Sequence, residues 1–287
     1  MRNKLEPVCL QQGDWQAKLL PGYAASLISL RCGEDQIIRS PKDRDTFLKD
    51  HIVYGTAFLL PPDRTLGGCF SFEGKEYHLP INDSKGISNL HGLMTDAPFE
   101  VLEQEASHAR FRYVNQSGRY PFPFAVTVTC RLQDGCRMEY EFQNTGSTAM
   151  PLLFGLHANF ADPGYIRVPV AGEIPMNRET FVPGDTVEAL SDVGERINRG
   201  MKPSGTRISG FFTSAGHTAE IGKYEYVVSE NFTHWVLWNG SGNDGFISIE
   251  PENGPVNGLR KPGGYQILEA GGVLTFQTLI RRKTRDE

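Results

Sequence analysis

Apolar and polar residues alternate along this chain in short runs broken by glycine and proline, and that pattern admits few folds. In Phe70-Ser71-Phe72-Glu73-Gly74-Lys75-Glu76-Tyr77-His78-Leu79 the apolar positions lie two apart on both sides of a Gly74-Lys75 turn. Side chains of a strand point alternately to its two faces, so this spacing predicts strand, turn and strand. The same signature recurs at 124–132, where Gln133-Asp134-Gly135 supplies the turn and 137–142 the return strand. Further strands are expected at 99–103, 109–114, 152–156, 224–229, 234–238, 246–250 and 273–280, runs rich in β-branched and aromatic residues. Helical periodicity is scarce, and the charged run 41–50 is expected to be a solvated loop or at most a short turn. The 31 glycines and 18 prolines are spread through the 287 residues without a linker, and no repeat recurs at a fixed period. Many short strands joined by turns predict an all-β chain, an antiparallel sandwich or barrel, with residues 1–287 forming one domain.

Composition narrows the function. Hydrophobic residues at 39% and charged residues at 22% exclude a disordered chain. No run approaches the roughly 18 apolar residues of a membrane helix, and a net charge of −5 disfavours nucleic acid as a partner. Glu6 and Pro7 stand where a signal peptide would carry its apolar core, so a cytoplasmic location is expected, as monomer or homodimer. The five cysteines (Cys9, Cys32, Cys69, Cys130, Cys136) show no CxxC spacing and are expected to be reduced and mostly buried; Cys130 and Cys136 flank a hairpin turn and can approach each other.

Phosphate loops, HExxH, EF-hand and GxSxG motifs are absent, and no pair of the seven histidines has metal-ligand spacing, so neither metal nor cofactor is expected. Three contexts stand out: Asn89-Leu90-His91-Gly92, Phe154-Gly155-Leu156-His157-Ala158-Asn159-Phe160, and Phe246-Ile247-Ser248-Ile249-Glu250-Pro251. Each has an ordinary reading, a hydrogen-bonded histidine in a strand or a rim carboxylate where proline ends the ladder. Taken together, two imidazoles and a carboxylate in apolar strands must find polar partners, and one concave site lined by all three would satisfy them and could move protons near neutral pH.

An ordered series of segments resembles the aldose 1-epimerase (galactose mutarotase) family and its sugar-phosphate epimerase relatives. Tyr54–Thr65, ending Pro62-Asp63-Arg64-Thr65, is similar to the family's apolar segment closing in Pro-x-Asn-Arg-Ile. After it come the glycine-led strand 67–72, Leu79-Pro80-x-Asn82, Leu90-His91-Gly92 and Tyr120-Pro121-Phe122-Pro123-Phe124. Gly155-Leu156-His157-x-x-Phe160, Ile249-Glu250-Pro251 with Gly254-Pro255, and Pro262-Gly263-Gly264 complete the series over roughly 50–280. The resemblance implies a large antiparallel β-sandwich (galactose mutarotase-like supersandwich) with a sugar site in an open cleft on one sheet. It implies a small-molecule sugar substrate, with His157 as the general acid that protonates the ring oxygen and Glu250 as the general base that takes the anomeric proton. His91 would hydrogen-bond the sugar near its ring oxygen, and Arg64 would bind hydroxyl or phosphate oxygens.

The chain departs from the family at several of these points. Asp63 stands for Asn, Thr65 for Ile, Ala158-Asn159 for Pro-Tyr and Glu252 for Trp, and Ile208-Ser209-Gly210-Phe211-Phe212 has no carboxylate where neutral-sugar members carry a hydroxyl-binding Asp. An unphosphorylated aldose is therefore expected as substrate, with a hexose 6-phosphate as the alternative if Lys75 and Lys85 join Arg64. Two other classes compete. A sugar-binding protein without catalysis would use aromatic faces such as Trp235, Trp238 and Phe160, and a glycosidase would pair Glu250 with Glu252.

Overall fold

The computed structural model describes residues 4–116 and 118–283. Two antiparallel sheets face one another. The eight-stranded sheet runs, from edge to edge, Glu100–Gln104, His108–Gln116, Pro123–Leu132, Cys136–Asn144, Val273–Arg282, Tyr224–Val228, Thr218–Ile221 and Ile166–Arg167. The six-stranded sheet runs Val170–Glu173, Ser209–Ser214, His234–Trp238, Phe246–Glu252, Gly155–Ala161 and Thr56–Leu59. Aromatic rings fill the space between them: Phe154 lies 5.0 Å from Phe142, 5.1 Å from Phe276 and 4.8 Å from Phe58, centroid to centroid. Such offset and edge-on pairs add to the area these rings bury. Of the two all-β architectures that the alternation allows, sandwich or barrel, the sandwich is observed, as the resemblance implied.

Strand alternation decides which residues reach the outer face of the six-stranded sheet. In Gly155–Ala161, Leu156, Ala158 and Phe160 join the apolar core, which turns Gly155, His157 and Asn159 to the opposite side. In Phe246–Glu252, Ile247 and Ile249 are core residues, which turns Ser248, Glu250 and Glu252 the same way. Ser248 Oγ donates to Asn159 Oδ1 at 2.7 Å, tying the two strands together on that face.

Several local expectations change. The run 41–50 contains a helix, Arg44–Lys49, capped by Asp43, whose Oδ1 accepts from the Thr46 N–H at 2.8 Å. Its single buried side chain, Phe47, packs edge-on against Tyr23 at 4.9 Å, and the charged residues around it give the run the composition of a loop. A second helix, Asp192–Arg199, starts at the Ser191 cap and had not been anticipated. The first hairpin turns at Glu73-Gly74, both with positive φ, one residue earlier than expected. The 152–156 strand is broken: Met150–Leu152 pairs elsewhere and a new strand starts at Gly155. Pro251 does not end its strand, because the ladder to the His157 strand is open between Gly155↔Glu252 and Asn159↔Ser248, so the missing N–H costs no bond there. Cys130 and Cys136 are buried free thiols with sulfurs 3.8 Å apart; Cys9 is exposed.

Candidate active site

Four residues singled out in the sequence, Arg64, His91, His157 and Glu250, line one cleft of about 400 Å³ on the outer face of the six-stranded sheet. The sheet register explains the central pair. With Gly155 opposite Glu252 and Asn159 opposite Ser248, the same register carried through sets His157 across from Glu250. His157 Nε2 lies 3.5 Å from Glu250 Oε1, and the two residues are 5% and 2% exposed. Burial lowers the His157 imidazole to about 4. Burial, and after it the charge of Asp63, holds the Glu250 carboxyl well above the ordinary carboxylate range. Both shifts oppose an ion pair between the two and favour a pair that keeps one proton between them.

His91 follows the short strand Ser88–Leu90, which pairs with Arg64–Leu66 and so brings His91 and Arg64 to the same wall. The turn is fixed by close backbone contact: a Cβ on Gly92 would fall 1.9 Å from the Leu60 carbonyl oxygen, so glycine is required there. The His91 ring stands edge-on to His157 at 5.5 Å, and its Nδ1 is buried without a hydrogen-bond partner. Burial first, then His157 and Arg64, push its proton affinity well below the usual histidine value. The Arg64 guanidinium lies 3.8 Å from Asp63 Oδ1 and 5.5 Å from the Phe181 ring.

Other lining residues carried no local sequence signal. Arg207 enters from the loop before Ser209–Ser214, and Met176 and Phe181 come from the segment between the strand Val170–Glu173 and the second helix. Of the three aromatic residues considered for sugar stacking, Trp238 lines the cleft, with its ring 6.1 Å from His157. Trp235 and Phe160 are 1% and 0% exposed and belong to the core, because they occupy inward positions of their strands. Lys75 and Lys85 do not line the cleft; the Lys85 ammonium donates to the Glu179 carbonyl and lies over the Phe181 ring. A larger groove of about 580 Å³ beside the N-terminal strands includes Lys18 and Arg31 but no histidine or carboxylate.

The arrangement supplies one proton donor and one acceptor, nearly dry, at the floor of an open cleft with an arginine on its wall. Comparison with known proteins agrees with what this geometry resembles. The family model for aldose 1-epimerase matches residues 13–191. The chain belongs to the aldose 1-epimerase family. It is 33% identical over 155 residues to the uncharacterized protein YihR of Escherichia coli strain K12, a match covering 53% of this chain and 49% of YihR. The chain thus spans about half the length of that curated relative. Among solved structures, a galactose mutarotase-like protein from Clostridium acetobutylicum superposes with a TM-score of 0.87 at 19% identity, over 96% of this chain and 94% of that one. A galactose 1-epimerase from Lactobacillus acidophilus NCFM gives 0.78 at 15% identity, over 99% and 96%. At these identities the likeness is one of fold.

Two residues in which this aldose 1-epimerase family member departs from the family pattern sit beside the central pair. Asp63, in place of Asn, lines the cleft, is 6% exposed, and leaves its Oδ2 buried without a partner. Burial raises it from 3.8 to about 6 against the opposing pull of Arg64. Glu252, in place of Trp, is 0% exposed, does not line the cleft, and has no hydrogen-bond partner on either carboxyl oxygen. Its stem passes over Gly155, where a Cβ would lie 3.0 Å from the Glu252 Cγ. Burial, then Asp63 and Glu250, hold its proton well above the ordinary range. A carboxyl shut away from the cleft cannot reach a substrate, which removes the glycosidase pairing of Glu250 with Glu252.

Proposed function

We propose that this chain interconverts the α and β anomers of an aldose. The observation that carries the proposal is the His157–Glu250 contact, 3.5 Å between Nε2 and Oε1, on the floor of a cleft that admits a sugar ring. Ring opening proceeds from the minor tautomer of the pair, with its proton on His157. The Glu250 carboxylate takes the proton of the anomeric hydroxyl as the His157 imidazolium gives one to the ring oxygen, which leaves the proton on Glu250, where burial favours it. The bond between C1 and the ring oxygen breaks with its electron pair going to that oxygen, and C1 becomes a carbonyl carbon. Rotation about C1–C2 and reclosure with the two groups exchanging roles give the other anomer. The cycle returns the pair to its starting state with one proton, so the working form is the singly protonated pair. His91 and Arg64 hold the sugar, and Trp238 offers an apolar face beside His157. A binder without catalysis would have no use for two buried groups that share a proton at contact distance.

The substrate is an unphosphorylated aldose, since Lys75 does not line the cleft and the Lys85 ammonium, at its rim, is held by the Glu179 carbonyl and the Phe181 ring. Arg207, a second guanidinium in the cleft lining with Arg64, favours a second reading, a hexose 6-phosphate or similar anionic sugar. Exchange NMR on a panel of freshly dissolved aldoses, each offered with its 6-phosphate, tests both. Faster anomer exchange than buffer with the neutral sugar supports the first reading. Preference for the phosphorylated form, lost in Arg64→Ala, supports the second, and no acceleration with any sugar refutes both.

A further inference from the structure

We infer that Asp63 is a positioning residue that acts through Glu250: its carboxylate holds the shared proton on the His157–Glu250 pair and so extends the pH range of the site on the alkaline side. This rests on the acid/base function proposed for that pair. Asp63 and Glu250 line the same cleft, and a third carboxyl, Glu252, lies on the Glu250 strand two residues on and on the same face. All three are nearly or fully buried.

The charged and titratable groups around them are few. Arg64, the next residue and the first of the strand Arg64–Leu66, is the cation in ion-pair range of Asp63. His91 and His157 in the cleft, His234 opposite Glu252 on the adjoining strand, and His51 beside the cleft residues Asp50 and Ile52 are all driven toward neutrality by burial. Arg207 and Asp50 stand on the exposed part of the cleft lining. Three buried carboxyls against one close guanidinium cannot all ionise, so the cluster retains protons. Glu252, shut off from the cleft and without a hydrogen-bond partner on either carboxyl oxygen, keeps its proton well above the ordinary carboxylate range.

Asp63 is the group placed to ionise first. Arg64 is next to it, and the His91 N–H donates to the Asp63 carbonyl oxygen at 2.7 Å, which fixes the residue in a left-handed conformation (φ 45°) that Asp tolerates. Its Oδ2, nine-tenths buried and without a hydrogen-bond partner, belongs to the cleft wall. Once ionised, it opposes a second negative charge on Glu250, and the proton stays on the pair to higher pH. The asparagine usual in the family would leave the shape of the wall intact and lack this charge.

The test is the pH profile of kcat/KM for anomer exchange in wild type, Asp63→Asn and Glu252→Gln, alongside a titration of ¹³C-carboxyl-labelled protein by NMR. In Asp63→Asn the alkaline limb moves toward acid by about one pH unit or more, the size of a like-charge effect between neighbouring carboxyls. The Glu250 carboxyl resonance titrates lower by the same amount, and Glu252→Gln leaves that limb in place. An active Asp63→Asn enzyme whose limb stays put overturns the inference and leaves the acid/base reading standing. If no aldose turns over, that reading fails, and the NMR titration alone decides this one: a Glu250 resonance unmoved by Asp63→Asn overturns it, and a shifted one upholds the coupling.

Discussion

Replacing Asp63 with Asn should raise the stability of the protein at neutral pH relative to its stability in acid. The Asp63 carboxyl is raised from 3.8 to about 6 in the folded protein. Below 3.8 both folded and unfolded chains hold the proton, and the residue costs no stability. Between those two values the unfolded chain gives up its proton while the folded one keeps it, so stability falls as pH rises. Above about 6 the penalty is complete, and the displacement converts to about 3 kcal/mol at 1.36 kcal/mol per tenfold change in proton affinity. Asn cannot ionise, so it removes that penalty. A buried amide left short of partners costs about 1–3 kcal/mol, but that cost is the same at every pH. The diagnostic quantity is therefore the slope: the stability difference between variant and wild type should grow by about 3 kcal/mol from pH 3.5 to pH 7. Urea unfolding followed by tryptophan fluorescence across that range measures it. A difference that stays flat with pH would refute the claim that Asp63 is buried as an acid held above its ordinary range.

Other expectations are as direct. His157→Asn should lower anomer exchange by about 10²–10⁴ and alter or remove the acidic limb of the rate profile, which in wild type should fall near 4, where burial places this imidazole; an active variant with an unchanged profile would clear His157 of the role. Phe154→Ala, which empties the ring cluster joining the two sheets, should cost about 3–5 kcal/mol by chemical denaturation; a loss under 1 kcal/mol would mean the sheets are not packed through it. Among the described residues no group of three His, Cys, Asp or Glu is arranged to hold a metal, and the acid/base pair is chemically sufficient, so dialysis against a strong chelator should leave exchange rates unchanged. Loss restored by one particular metal would contradict that.

What the sequence revealed, and what it hid, follows from how local each signal is. Alternation and turn residues made the 124–142 hairpin readable, and the observed register confirms it, with Leu132 opposite Cys136. His157 and Glu250 drew notice because a polar residue in an apolar strand is a local anomaly. Their meeting is a fact of register, which no local pattern states. The helix Arg44–Lys49 escaped because it buries one side chain, Phe47, and shows charge elsewhere, although the Asp43 cap was there to be seen. Pro251 misled because its cost depends on whether the neighbouring strand needs the lost N–H, and there it does not. Asp63 and Glu252 were visible as departures, but their burial comes from tertiary packing. Arg207 and Phe181 reach the cleft from loops whose paths the sequence does not specify.

The central claim, that Glu250 and His157 exchange a proton with a sugar, is tested most directly by Glu250→Gln. The amide keeps the shape of the carboxyl and removes its ability to accept a proton. Two-dimensional exchange NMR at neutral pH, on the best aldose for the wild type, compares interconversion of anomers in both proteins. The expected result is a loss of about 10²–10⁴ in rate with the fold and the affinity for the sugar retained. Wild-type exchange in the Gln variant would contradict it.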